Sequence, residues 1–175
     1  MFEGNLINIF AGPGAGKSTL AARLYSELKR QNMEVEYVNE YPKQLVYEEN
    51  VLSLQNQILV FATQHHRIWT AARHNQIVIT DSPILLSTIY HPETSEHFRE
   101  LIIEMHNKFT NLNIVLKRVD SFHSMTGRIH TLQESINIDT SIRAILDEIG
   151  ADYLEFDPIQ DQIAPLVKLI HQEFC

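Results

Sequence analysis

Apolar positions along the chain alternate between a strand period and a helix period. Leu6 to Phe10 is a short apolar run that ends at Gly and Pro, which predicts a buried strand. Lys17 to Gln31 places Leu20, Leu24 and Leu28 four apart with charge on the other face, which predicts an amphipathic helix. Val35 to Asn39 reads as a second strand. Leu52 to Arg73 reads as one long helix, with Leu52, Ile58, Leu59, Ala62 and Trp69 among its apolar positions. Gln76 to Thr80 is β-branched and predicts a third strand. Ser95 to Phe109 follows as a helix with Phe98, Leu101, Ile102, Met105 and Phe109 on one face, and Leu112 to Leu116 as a fourth strand. Ser121 to Gln133 shows neither period, is polar and contains Gly127, so a mobile loop is expected. Glu134 to Ile149 is a helix, Tyr153 to Phe156 a fifth strand, and Ile163 to Phe174 a last helix with Pro165 near its start.

Strands alternating with helices imply an α/β fold with a five-stranded parallel sheet covered on both faces, a three-layer α/β/α arrangement. Ligands on such sheets sit at the carboxyl ends of the strands. The length of 175 residues and a hydrophobic fraction of 44% suit a single globular domain, residues 1–175. No apolar run reaches the roughly 18–20 residues of a membrane span. The N-terminus has no basic region ahead of its apolar stretch, so no signal peptide is expected. Cys175 is the single cysteine, which excludes an intrachain disulfide and a cysteine-based zinc site and makes a reducing cytoplasm the default. The net charge of −8 argues against coating nucleic acid through charge alone.

The strongest chemical signal is Ala11-Gly12-Pro13-Gly14-Ala15-Gly16-Lys17-Ser18-Thr19, between the first strand and the first helix. It is a P-loop pattern with Ala in place of the first Gly. Its glycines let successive amides turn toward one anion, and the helix N-terminus adds its dipole. Lys17 is placed to reach the β- and γ-phosphates of a nucleoside triphosphate, Ser18 to ligate Mg²⁺, and Thr19 to touch the α-phosphate. A strand-to-helix turn without a ligand is the alternative.

Two carboxylates close neighbouring strands. Asp81, in Thr80-Asp81-Ser82-Pro83, can hold Mg²⁺ or accept a proton, or simply cap a helix. Glu40, in Asn39-Glu40-Tyr41-Pro42, can accept the proton of an attacking hydroxyl or bind a substrate hydroxyl, or be a solvated loop residue. Gln57, Gln64 and Arg67 lie near one face of the long helix, suited to a base edge or a phosphate, or to a solvated face. Adjacent His65 and His66 point apart and make poor joint metal ligands, while Phe61 and Trp69 read as core.

Arg118 ends the fourth strand, and Arg128 and His130 follow in the polar loop. With Gly127 as a hinge, residues of about 118–133 read as a lid that supplies cations to the transferring group; a basic surface loop is the alternative. Thr131 and Glu134 have the spacing of a capping box. An adenine pocket is expected by position near Phe156-Asp157-Pro158.

Taken together these motifs resemble phage-encoded P-loop kinases of AAA type, a group similar to the nicotinamide riboside and deoxynucleoside kinase branch. The resemblance rests on Ala11 to Thr19, Glu40-Tyr41, Gln57 to Arg67, Thr80 to Pro83 and Gly127-Arg128, in that order. It implies a P-loop kinase fold with a mobile lid, catalytic roles for Lys17, Glu40, Asp81, Arg118 and Arg128, and acceptor contacts from Glu40, Tyr41, Gln57, Gln64 and Arg67. Some members of the group phosphorylate 5-hydroxymethyldeoxyuridine in DNA, and that is the specific acceptor the resemblance suggests. Residues 120–126, Asp-Ser-Phe-His-Ser-Met-Thr, stand where the group often shows a Pro/Asn-rich stretch.

The expected activity is therefore Mg²⁺- and ATP-dependent transfer to a hydroxyl of a nucleoside-type acceptor. A DNA acceptor requires the base to leave the helix. It also needs a basic rim, for which Lys117, Arg118, Arg128, Arg67 and Arg73 are the candidates. A free nucleoside or nucleotide needs neither. A partner-stimulated ATPase is the competing class. A GTPase is disfavoured, because Asn107-Lys108 is followed by Phe109-Thr110 and lacks the x-Asp of a guanine-reading motif. Oligomeric state stays open.

Overall fold

The computed structural model describes residues 4–90, 95–118, 131–158 and 162–174. Its elements in chain order are β1 (Asn5–Phe10), α1 (Lys17–Arg30), β2 (Val35–Val38), α2 (Tyr41–Tyr47), α3 (Val51–Gln55), α4 (Gln57–Ala72), β3 (Ile77–Thr80), a 3₁₀ turn (Ile84–Thr88), α5 (Glu96–His106), β4 (Thr110–Leu116), α6 (Leu132–Glu148), β5 (Tyr153–Phe156) and α7 (Ile163–Phe174). The five strands pair in parallel in the order β2-β3-β1-β4-β5. All five sequence-predicted strands are present and all lie in this one sheet.

Alternation along β1 divides the core. Ile7, Ile9 and Ala11 face α1 and α7, where Leu20, Leu24, Leu28, Leu166 and Ile170 are buried. Leu6 and Phe10 face the other side, where Phe61, Ile68, Ile102, Ile142 and Leu146 of α4, α5 and α6 close a second cluster. A central strand buried on both faces reads as a near-continuous apolar run. Asn8 interrupts that run, and it is satisfied across the sheet by donating to Asn111 Oδ1 and Asn113 Oδ1 at 2.9 and 3.0 Å.

One sequence expectation needs correction. Residues 52–73 do not form a single helix. The chain breaks at Asn56, whose φ of −82° and ψ of 88° are not helical and whose side chain accepts from Leu59 N–H to start α4. Asn50 starts α3 in the same way by accepting from Ser53 N–H. Both asparagines are N-caps that stop one helix and open the next. Leu52 and Ile58, read as apolar helix positions, are instead 82% and 67% exposed. The short helix α2 is also additional; Pro42 sits in its first turn, where its missing N–H costs nothing. At the other end of the chain α6 opens with the expected capping box between Thr131 and Glu134. The rest of the expected lid, residues 119–130, lies outside the described residues.

His106 ends α5 in the core with 1% of its surface exposed, and its Nδ1 has no hydrogen-bond partner among the described residues. Burial pushes its pKa down to about 4. Below pH 6.5 the unfolded chain takes up a proton that the folded chain refuses, so this residue's contribution to stability falls as pH drops from 6.5 toward 4. Between pH 7 and 5 the loss from His106 alone should be about 2 kcal/mol. Urea melts of wild type and His106→Gln at the two pH values test this. The variant should lose less stability on acidification by about that amount, and parallel losses would contradict a buried neutral imidazole.

Candidate active site

The loop after β1 turns at glycines. Gly14 and Gly16 have φ of 91° and 95°, a left-handed conformation that L side chains rarely adopt. Gly16 is the N-cap of α1, and the first turn of α1 carries no acidic residue, so its positive end is left for an anion. Ser18 and Thr19 are exposed on that turn. Lys17 folds back over the loop, and its Nζ donates to the carbonyl oxygens of Ala11 at 2.8 Å and Gly12 at 3.3 Å. Burial pulls the Lys17 pKa below its ordinary value; Glu40, Asp81 and Asp139 favour its charge and Arg118 opposes it.

Parallel register brings the carboxylates to this loop. Val38 of β2 pairs with Thr80 of β3, and Thr80 pairs with Asn8 of β1. Glu40 and Asp81 therefore emerge side by side, with Asp81 next to the loop. Asp81 is 3% exposed. Burial pushes its pKa up, while a hydrogen bond from the Tyr37 hydroxyl and the Lys17 charge pull it back. The same contact, together with burial, raises the Tyr37 pKa. Among the described residues Asp81 Oδ1 has no hydrogen-bond partner.

These groups face one cavity of about 500 Å³. Pro13, Gly14, Gly16, Lys17 and Ser18 form its floor, and Glu40, Asp81 and Ser82 one wall. Lys43, Tyr47, Leu54 and Gln57 from α2, α3 and the start of α4 roof it, with Tyr90 on the remaining side. Burial and the Glu40 charge raise the Tyr90 pKa.

Not every residue singled out in the sequence reaches the cavity. Gln64 lines it, but its amide is a strut: Oε1 accepts from Tyr41 N–H at 2.9 Å, and Nε2 donates to Asn39 O and Thr80 Oγ1. Gln57 lines it and donates to Leu54 O at 3.1 Å. Tyr41 and Arg67 stand outside the lining; the guanidinium covers the Tyr41 ring at 4.8 Å and donates to Gln44 Oε1 at 2.7 Å. Gly12 and Ala15 are buried within the loop, and Thr19 lies beyond the lining on α1. Arg118, expected over the triphosphate, is instead paired with Asp139 and bound to the Pro13 carbonyl. Arg128 lies outside the described residues. Phe156, near the expected adenine pocket, is part of the core behind α1 and α7, and Asp157 N–H donates to Gln162 Oε1.

The structure adds three groups that the sequence did not single out. Lys43 stands three residues after Glu40, a spacing meaningful only once α2 is known. Tyr37 alternates along β2 toward Asp81. Asp139 lies 127 residues from its partner Gly12.

A family model described as AAA domain matches residues 6–160. The chain belongs to this AAA domain family. No curated protein matches it. Among solved structures, this AAA domain chain is similar to a NadR protein in complex with NR, with a TM-score of 0.71 and 14% sequence identity. The alignment covers 98% of the AAA domain chain, which spans 52% of that protein. The likeness concerns the P-loop kinase fold alone.

Proposed function

We propose that this protein is a Mg²⁺- and ATP-dependent kinase that phosphorylates a hydroxyl group of a free nucleoside-type acceptor. One observation carries the reading: the phosphate loop and the Glu40–Asp81 pair open into the same molecule-sized cavity, whose roof offers rings and amides. Tyr47 and Tyr90 suit the face of a base, and Gln57 its edge. The resemblance to nicotinamide riboside and deoxynucleoside kinases supports the same class, as does a structural neighbour solved with NR.

The chain's own residues define the reaction. Loop amides and Lys17 hold the polyphosphate, and Lys17 neutralises charge as the bond from the γ-phosphorus to its bridging oxygen breaks. The acceptor hydroxyl oxygen forms the new bond to phosphorus, and its proton passes to a carboxylate oxygen of Glu40 or Asp81. Ser18 and Asp81 would hold Mg²⁺, and the buried, unpartnered Asp81 Oδ1 suits that role. When bound, Mg²⁺ supplies charge neutralisation at the phosphates.

Charge placement favours a free acceptor over a base in DNA. Lys117 is paired with Glu155, Arg118 with Asp139, and Arg73 covers Trp69 at the far end of α4. Arg67 is held on Tyr41. The described cations therefore do not form a rim around the cavity, where Lys17 and Lys43 are the basic lining residues.

The test is transfer of labelled γ-phosphate to a panel of nucleosides, nucleotides and DNA containing 5-hydroxymethyldeoxyuridine. A free acceptor should be labelled with little dependence on salt. Labelling of DNA alone, falling steeply with salt, would replace the free acceptor with the DNA one. Hydrolysis without any acceptor, stimulated by a partner protein, would indicate an ATPase. Glu40→Gln should lower kcat about 10²–10⁴-fold with ATP affinity nearly unchanged. An unchanged kcat would remove Glu40 from the reaction.

A further inference from the structure

Helix α6 presses directly on the first turn of the phosphate loop. A Cβ on Gly12 would lie 2.4 Å from the Ser135 carbonyl oxygen, 2.9 Å from Arg118 Nη2 and 3.1 Å from Asp139 Oδ1. Gly12 N–H donates to Asp139 Oδ1. Asp139 Oδ2 accepts from Arg118 Nε at 2.7 Å, and the remaining guanidinium nitrogens donate to Pro13 O at 3.0 Å and Ser135 O at 3.4 Å. The Asp139 and Arg118 side chains are only 12% and 10% exposed.

A buried ion pair recovers its desolvation cost only when both partners are well hydrogen-bonded. Here the bonds go to two consecutive loop residues, the N–H of Gly12 and the C=O of Pro13. A pair that merely joined β4 to α6 would not need either. The two groups take hold of the outer turn of the loop and leave Gly14, Gly16, Lys17 and Ser18 lining the cavity. A stretch so rich in glycine loses much conformational freedom when it closes on a ligand, and prior fixing of its entry reduces that loss.

We propose that Asp139 is a positioning residue for nucleotide binding: paired with Arg118, it holds the Gly12 amide and sets the phosphate loop in its binding shape before the polyphosphate arrives. The choice of ligand rests on the kinase reading above. Asp139 is not among the residues that line the cavity. Its negative charge is directed at the loop entry and offset by Arg118, so the bond and the charge can be separated by substitution. Asn keeps an oxygen able to accept from Gly12 N–H but turns an amide donor toward Arg118 Nε and so gives up the ion pair, whereas Leu keeps volume and loses both bonds.

The experiment measures Mg-ATP binding calorimetrically on the full chain as wild type, Asp139→Asn and Asp139→Leu, with hydrogen exchange of residues 11–16 in each. Asn should stay within about threefold of wild-type Kd, and Leu should weaken it about tenfold or more, as expected for losing a charge-assisted bond that orders a loop. The acceptor KM and the kcat at saturating ATP should change little in either, and exchange in the loop should accelerate in Leu. Equal effects of Asn and Leu would mean that the Arg118 ion pair and not the Gly12 bond sets affinity and would overturn the proposal, as would unchanged ATP affinity in both. Should Leu not fold, Asp139→Ser against Asp139→Asn makes the same comparison. Wild-type protein that binds no Mg-ATP would overturn the kinase reading instead, and loop exchange would still report whether Asp139 holds the loop.

Discussion

Lys17→Ala is expected to lower phosphoryl transfer by about 10³-fold or more while leaving the fold intact. The loss is large because this ammonium both stands on the phosphate loop and opens into the cavity lined by Glu40 and Asp81. Its resting contacts are two loop carbonyl oxygens, at 2.8 and 3.3 Å, so it is already held within the loop that would receive the phosphates. Burial lowers its pKa, and Glu40, Asp81 and Asp139 nearby favour its charge. The fold should tolerate the change, since a buried ammonium carries a desolvation cost that Ala removes along with its hydrogen bonds. A thermal melt within a few degrees of wild type, together with near-background transfer of labelled phosphate, is the expected pair of results. Transfer above a tenth of wild type would contradict the role given to Lys17.

Legibility in the sequence followed the range of the interactions. The strands were readable because a buried central strand needs an apolar run whatever surrounds it, as Leu6 to Phe10 and Ile77 to Ile79 show. The phosphate loop was readable because its chemistry is contiguous from residue 11 to residue 19. Glu40 and Asp81 were readable as candidates because strand ends are where such sheets bind ligands. Their meeting at one cavity was not, since it depends on the pairing of β2 with β3 and of β3 with β1. The break at Asn56 was hidden by apolar neighbours: Leu52, Ile58 and Leu59 continue a helical pattern while lying largely outside the core. Two capping asparagines decide against that pattern locally. Arg118 shows the limit most directly. Its position at the end of β4 suggested a cation for the phosphates, but its partner is set by Asp139, twenty-one residues later on another element. Nothing in the spacing of Arg118, Asp139 and Gly12 marks them as one unit.

Asp81→Asn is the second large effect, and it separates the two carboxylates. The side chain is almost fully buried, one oxygen receives the Tyr37 hydroxyl, and Oδ1 has no partner among the described residues. Asn preserves the volume and an acceptor but removes the negative charge that a divalent cation needs. The kcat should fall about 10²–10⁴-fold. Binding of ATP measured without metal should hardly change, because Lys17 and the loop amides carry it. The Mg²⁺ dependence then distinguishes the roles. If Asp81 holds Mg²⁺ and Glu40 takes the proton, raising Mg²⁺ should restore part of the Asp81→Asn activity and none of the Glu40→Gln activity. If the roles are exchanged, the rescue should appear in Glu40→Gln instead. The parallel strands place both groups on one cavity, so either division of labour fits the geometry. The metal titration distinguishes them because a missing ligand weakens an equilibrium that mass action can oppose, whereas a missing base removes a proton acceptor that no metal concentration replaces.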